Sequence, residues 1–247
     1  MDFESWVKTI FQKLWRNDLP LLVEELTARE SDRSLLVFTP NLNHFRIIGS
    51  NPQLRGIYAD ADYLLCDGMP VSWLSKFYLN QNIARISGVD LTSTLLLASK
   101  ETVVIGSSCD VVIKAYSRLG CRFDKVKVFD EFIDANNLEL SVARVVKFLK
   151  TYSSRYVLLA LNTDKQARLV KSIYESFPEL QRTFIGVGGS FEILSGKYVR
   201  APKSFQRAGL EWLWRAFQNP FELFPRYLFD LGFILKIQRA TRKFKHD

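Results

Sequence analysis

Short runs of leucine, β-branched and aromatic residues alternate with longer amphipathic stretches along most of this chain. The runs are LLVFT (Leu35 to Thr39), YLLC (Tyr63 to Cys66), TVVIG (Thr102 to Gly106), VKVF (Val126 to Phe129), YVLLAL (Tyr156 to Leu161) and FIGVG (Phe184 to Gly188). Between them apolar positions recur at helical spacing, beginning near Leu42, Pro52, Pro70, Asp90, Asp110, Leu138 and Asp164. This alternation predicts βαβ units: an α/β fold with a mostly parallel sheet and helices on both faces. Helix starts agree with it, with Asn51 before Pro52, Asp90 before LTSTLLLASK, and Thr163 to Gln166 read as a capping box. No internal repeat or low-complexity linker interrupts the pattern. Residues 1–195 read as the sheet-based core and residues 196–247 as a C-terminal helical appendage.

In such sheets ligands bind beyond the carboxyl ends of the strands. The residues at those ends form a polar rim: Thr39 and Asn41, Asp67 and Gly68, Gly106 and Ser107, Asp130 and Glu131, Asn162 and Thr163, Gly188 and Gly189. Asp67, in CDGMP, reads either as a carboxylate able to take a proton from a hydroxyl or as the N-cap of the helix that follows. Thr39 and Asn41 read as site residues or as ordinary turn residues around Pro40. Asp60 and Asp62 have the D-x-D form of a metal-nucleotide motif, but they precede their strand and so sit at the wrong edge. The Gly186 to Gly189 turn lacks the Lys-Ser/Thr of a P-loop and reads as a tight turn that could meet phosphate. With only His44 and His246 present, no Ser-His or Cys-His pair is indicated, and His44 reads as structural.

Charge changes the picture at one end. The net charge is +8, and from Gly196 to Asp247 there are 11 Lys and Arg against 4 Asp and Glu. Interleaved Phe, Trp, Leu and Ile favour an anionic membrane surface over nucleic acid as the partner of this end. The longest strictly apolar run there, Leu231 to Leu235, is far too short to span, so any membrane association is expected to be peripheral. Beyond Pro225 the grading from apolar to basic suits an interfacial helix with a polybasic end. Arg207, Glu211 and Arg215 fall at i, i+4 and i+8, giving either an intrahelical ion-paired stripe or, with Arg200 and Arg226, guanidinium forks for a diphosphate. The three cysteines Cys66, Cys109 and Cys121 fit neither a disulfide framework nor a zinc site, which reads as a reducing cytoplasm. The N-terminal stretch reads as neither signal peptide nor span.

These motifs in order resemble the WecG/TagA/CpsF family of bacterial glycosyltransferases. The likeness is carried by Thr39 and Asn41, Asp67-Gly68, Arg85 to Leu91, Gly186 to Gly196, Arg200 to Pro202, Gly209 to Arg215 and Arg226-Tyr227, over about residues 35 to 228. It implies a Rossmann-like core with a membrane-touching C-terminal appendage. It also implies transfer of a sugar from a UDP-sugar, N-acetylmannosamine or a relative, to a polyprenyl-diphosphate-linked sugar at the cytoplasmic membrane face. On that resemblance Asp67 is the base, with Thr39 and Asn41 orienting the sugar. Arg85, Gln166 and the amides of Gly188 and Gly189 hold the nucleotide side, and Gly68, Asp90 and Glu192 complete the substrate set. Arg200, Arg207, Arg215 and Arg226 neutralise diphosphate charge, and neither metal nor cofactor is implied. The chain departs from the family pattern at Asn162 to Ala167, Gly106 to Asp110 and Phe129 to Phe132. Those loops bear on the donor sugar more than on the reaction. The competing reading is a non-catalytic module that binds a membrane or nucleic acid through its basic end. A homo-oligomer is compatible with either.

Overall fold

The computed structural model describes residues 1–28, 33–98 and 100–242. The end of the polybasic tail, residues 243–247 with His246, lies outside them. In chain order the elements are α1 (Phe3–Lys13), α2 (Leu19–Ala28), β1 (Leu35–Phe38), α3 (Leu42–Gly49), α4 (Pro52–Asp60), β2 (Tyr63–Leu64), α5 (Met69–Leu79), α6 (Gly88–Leu97) and β3 (Thr102–Ile105). They continue with α7 (Cys109–Leu119), β4 (Val126–Phe129), α8 (Leu138–Thr151), β5 (Tyr156–Leu159), α9 (Thr163–Ser176), β6 (Thr183–Gly186), α10 (Ser190–Leu194), α11 (Lys203–Arg207), α12 (Glu211–Gln218) and α13 (Pro220–Arg242).

The expected parallel sheet is present. Six strands run in the order β2-β1-β6-β5-β3-β4, every pairing parallel, with Val37 opposite Ile185 and Leu158 opposite Ile185 across the centre. Strand residues point alternately to two apolar layers, which is why both parities are hydrophobic. Leu36, Phe38, Val103, Ile105 and Phe184 join one cluster, with residues of α1, α3, α4, α8 and α9. Val37, Val104, Leu158 and Ile185 join the other, with residues of α2, α6 and α7. The edge strand β2 is shorter than YLLC suggests. Trp15 donates its N–H to the Leu64 carbonyl at 2.8 Å, so the segment after α1 covers that edge.

Two helix starts differ from their sequence reading. Ser87, not Asp90, caps α6: its Oγ accepts from the Asp90 N–H and donates to the Asp90 carboxylate. Asn162, not Thr163, caps α9, its side chain accepting from the Lys165 N–H at 2.9 Å. A further correction concerns Arg207, Glu211 and Arg215, which do not share one helix face. The chain turns between α11 and α12 at Gly209, with a φ of +73°, so that Arg207 ends one helix while Glu211 begins the next.

The C-terminal helix is built into the core as well as onto the surface. Asp230, Phe233, Ile237 and Ala240 recur on one face of α13 and are buried, and Phe233 and Ile237 join the cluster that holds Trp6 and Phe45. Its other face leaves Leu228, Phe229, Leu231 and Leu235 exposed. Among the described residues no helix is long and apolar enough to cross a membrane.

Candidate active site

Backbone hydrogen bonds tie the loops at the carboxyl edge together. Asp67 donates its N–H to the Pro40 carbonyl at 3.2 Å, and Ile86 donates to the Cys66 carbonyl at 2.9 Å. These bonds hold the turns after β1, after β2 and before α6 side by side. Thr39 Oγ1 donates to the Gly186 carbonyl at 2.9 Å, fastening the first turn to β6. Gly88 opens α6 where no side chain fits, since a Cβ there would lie 2.9 Å from Ser190 Oγ and 3.3 Å from Thr39 Oγ1. The N-cap of α5 is Gly68, at a φ of +89° that favours glycine, with no side-chain cap bond. Asp67 therefore does not serve as a cap, and its carboxylate is left to the cavity. Asn41 does cap α3, accepting from the His44 N–H, and the His44 ring returns to the Asn41 backbone N–H.

A cavity of about 710 Å³ lies over this edge, between the sheet loops and the C-terminal helices. Thr39, Asn41, Asp67, Gly68, Gly188 and Gly189 line it from the core, and Arg200, Arg215 and Arg226 from the C-terminal segment. Five residues expected from the sequence do not line it. Gln166 is turned into the core, its Nε2 donating to the Tyr58 hydroxyl at 3.0 Å beneath Gly186. Arg85 and Asp90 belong to an ion-pair cluster at the cavity's side. Glu192 lies in α10 with Oε2 buried and, among the described residues, without a hydrogen-bond partner. Arg207 is exposed at the end of α11. Asp62 is committed elsewhere: it pairs with Arg33 and accepts from the Leu36 N–H at 2.9 Å.

Among the described residues three carboxylates line the cavity, and two of them are engaged. Glu211 pairs with Arg85, and Asp230 accepts from Arg46 Nε at 2.7 Å with Arg226 Nε at 3.9 Å. Among the described residues Asp67 has no ion-pair partner. Burial pushes its pKa up to about 6, against the lowering pull of the Arg85 and Arg215 charges and the Asn41 amide, while Glu211 adds to the rise. Arg226 is depressed by burial, its charge being held between Asp230 and the like charges of Arg215 and Arg46.

His44 is brought down to about 4 by burial and by the Arg226 guanidinium. Because its folded value lies below its ordinary 6.5, the stability it contributes is present above about pH 6.5 and is lost as pH falls through about 4. We expect His44→Gln to remove on the order of 1–2 kcal/mol of acid sensitivity in that window, read by urea unfolding at a series of pH values; an unchanged pH slope would refute it.

The sequence reading did not single out Ser87, Gly88, Ser190, Asp230 or the aromatic wall of Trp73 and Phe77, all of which line the cavity. Ser190 was findable, since it follows directly on the Gly186 to Gly189 turn. Asp230, the one charged residue in the otherwise apolar run Tyr227 to Leu235, was the other available signal.

A carboxylate without an ion pair, facing arginines across a pocket at the carboxyl edge of a parallel sheet, suits group transfer between anionic substrates. That chemistry has a family attached to it here. The chain belongs to the glycosyl transferase WecG/TagA/CpsF family, whose model matches residues 8–247, and it is a glycosyltransferase. A relative is the N-acetylglucosaminyldiphosphoundecaprenol N-acetyl-beta-D-mannosaminyltransferase of Bacillus spizizenii. It is 26% identical over 228 residues, which cover 89% of this chain and 86% of that protein.

Proposed function

We propose that this glycosyltransferase moves a sugar, N-acetylmannosamine or a close relative, from a UDP-sugar to a polyprenyl-diphosphate-linked sugar in the assembly of a bacterial surface polysaccharide. The observation that carries the reading is Asp67, among the described residues the one cavity carboxylate without an ion pair, opposite Arg200, Arg215 and Arg226. The relative's name gives both the lipid-linked acceptor and the mannosaminyl group for that protein.

In this mechanism the Asp67 carboxylate accepts the proton of the acceptor hydroxyl as its oxygen bonds to the anomeric carbon. The bond from that carbon to the UDP oxygen breaks, and the electron pair leaves with the nucleotide. Displacement from one face inverts the anomeric centre. Thr39 and Asn41 orient the sugar, and the Gly188 and Gly189 backbone admits the donor closely. Charge developing on the departing diphosphate is met by the arginine side chains, for which paired N–H donors in a partly dry pocket are well suited. Gln166 supports the floor from below, through Tyr58 and Phe38, whose rings stack at 4.3 Å.

The lipid side of the reading rests on the apolar surface around the cavity. Phe221 is 93% exposed and Leu228 70%, beside Phe229 on α13 and Phe217 on α12. A patch of this kind, next to arginines, fits a peripheral site on an anionic bilayer, so that enzyme and lipid acceptor share one surface. We expect the triple variant Phe221→Ser, Leu228→Ser, Phe229→Ser to lose most of its co-sedimentation with anionic phospholipid vesicles while keeping its fold. Undiminished pelleting would remove the patch from the account.

The reaction is tested with a panel of UDP-sugars, following nucleotide release with and without a polyprenyl-diphosphate-linked N-acetylglucosamine. Release that depends on the acceptor and is greatest with UDP-N-acetylmannosamine is expected. Release at the same rate without any acceptor would overturn the proposal.

A further inference from the structure

Four charged side chains form a closed ring where the core meets the C-terminal helices. Arg85 hydrogen-bonds Glu211, and its other terminal nitrogen lies 3.7 Å from Asp90. Arg200 bonds Asp90 at 2.6 Å and approaches Glu211 at 3.7 Å. Both guanidinium groups are thus shared between the same two carboxylates. The members come from three places: the loop before α6 with its first turn, the segment after α10, and the first residue of α12. Glu211 lines the cavity, and Arg85 does not.

Among the cations acting on Asp67, Arg85 is the foremost, yet it makes no ion pair with that carboxylate. Its donors point to Glu211 and Asp90 instead. We infer that Glu211 is a positioning residue for the transfer: by binding Arg85 it keeps that guanidinium off Asp67 and leaves the Asp67 carboxylate free to take a proton. The inference rests on the reading of Asp67 as the base. Groups facing Asp67 from the elements around it are Cys66 beside it, Asn41 at the start of α3, Arg85 before α6, and Glu211 and Arg215 on α12. Without the Glu211 charge, Arg85 is released toward Asp67 and one negative neighbour is lost. Both changes favour the ionised carboxylate, which makes it a weaker base.

The experiment is the pH profile of kcat for the full chain and for E211Q. Wild type should show an acid limb near pH 6 that is absent from the residual activity of D67N. In E211Q the limb should move to lower pH by about half a unit or more, with a several-fold lower plateau. Adding Arg85→Gln to E211Q should bring the limb back toward wild type, because the cation under Glu211's control is gone. A limb that stays in place in E211Q while the plateau falls would overturn the inference and leave Asp67 as base. A wild type without the limb would overturn the base assignment and the inference with it. Should E211Q fail to fold, E211D provides the same reading: a shorter carboxylate that loosens Arg85 should give a smaller shift in the same direction, and no shift would count against the proposal.

Discussion

Asp67→Asn is expected to abolish transfer while making the fold more stable at neutral pH. The loss of rate follows from removing the proton acceptor, a contribution of about 10²- to 10⁴-fold for general base catalysis. The gain in stability follows from the raised pKa. A carboxyl group at about 6 in the folded chain, against 3.8 ordinarily, favours folding most when protonated. Its contribution is complete below about pH 4 and is lost as pH rises through 6. Above that, holding the ionised form in a poorly solvated pocket costs on the order of 1–3 kcal/mol, and asparagine lifts the cost. Thermal unfolding of the two proteins at about pH 8 should therefore show the inactive variant melting higher, with the difference gone near pH 4. An inactive variant that melted lower at both pH values would indicate that Asp67 supports the fold rather than the reaction.

Asp230→Ala carries the largest expected loss of stability, about 3–5 kcal/mol by urea unfolding. Asp230 is 2% exposed on α13 and is the shared anion of Arg46 on α3 and Arg226 one turn before it. Removing it leaves two half-buried guanidinium groups, 32% and 34% exposed, with one neutralising partner fewer, and the cost comes from that unpaired charge together with the packing Asp230 loses inside the helix interface. Arg226 also loses its anchor, so the KM for a lipid-linked acceptor should rise in whatever folded fraction persists. Phe229→Ala, on the exposed side of the same helix, should change stability by less than about 0.5 kcal/mol. Equal costs for the two variants would mean that α13 is held by its apolar surface alone.

The α/β class and the place of the site were legible because strand runs and polar strand ends are local signals. Thr39 follows β1 directly, and Gly188 and Asp67 come within the short turns after β6 and β2; a parallel sheet gathers such ends on one edge. What the pattern could not carry was the partner of each charge. Glu211 looked local to Arg207 and Arg215, but a turn at Gly209 sends it across to Arg85. Gln166 sits in the first turn of α9, just beyond the strand-end residues Asn162 and Thr163, and only packing decides that it turns under Gly186 toward Tyr58. α13 is apolar on two sides, so its pattern does not tell the side that meets α1 and α3 from the side left open. Phe233 and Ile237 are core, whereas Leu228 and Phe229 are not.

The most direct test of a single base acting from one face is the anomeric configuration of the product. Proton NMR of the lipid-linked disaccharide formed from an α-linked UDP-sugar should show a β linkage, formed readily by the wild type and only at a residual rate by D67N. An α-linked product would contradict the account, because a single displacement from the face opposite the leaving UDP inverts the anomeric carbon.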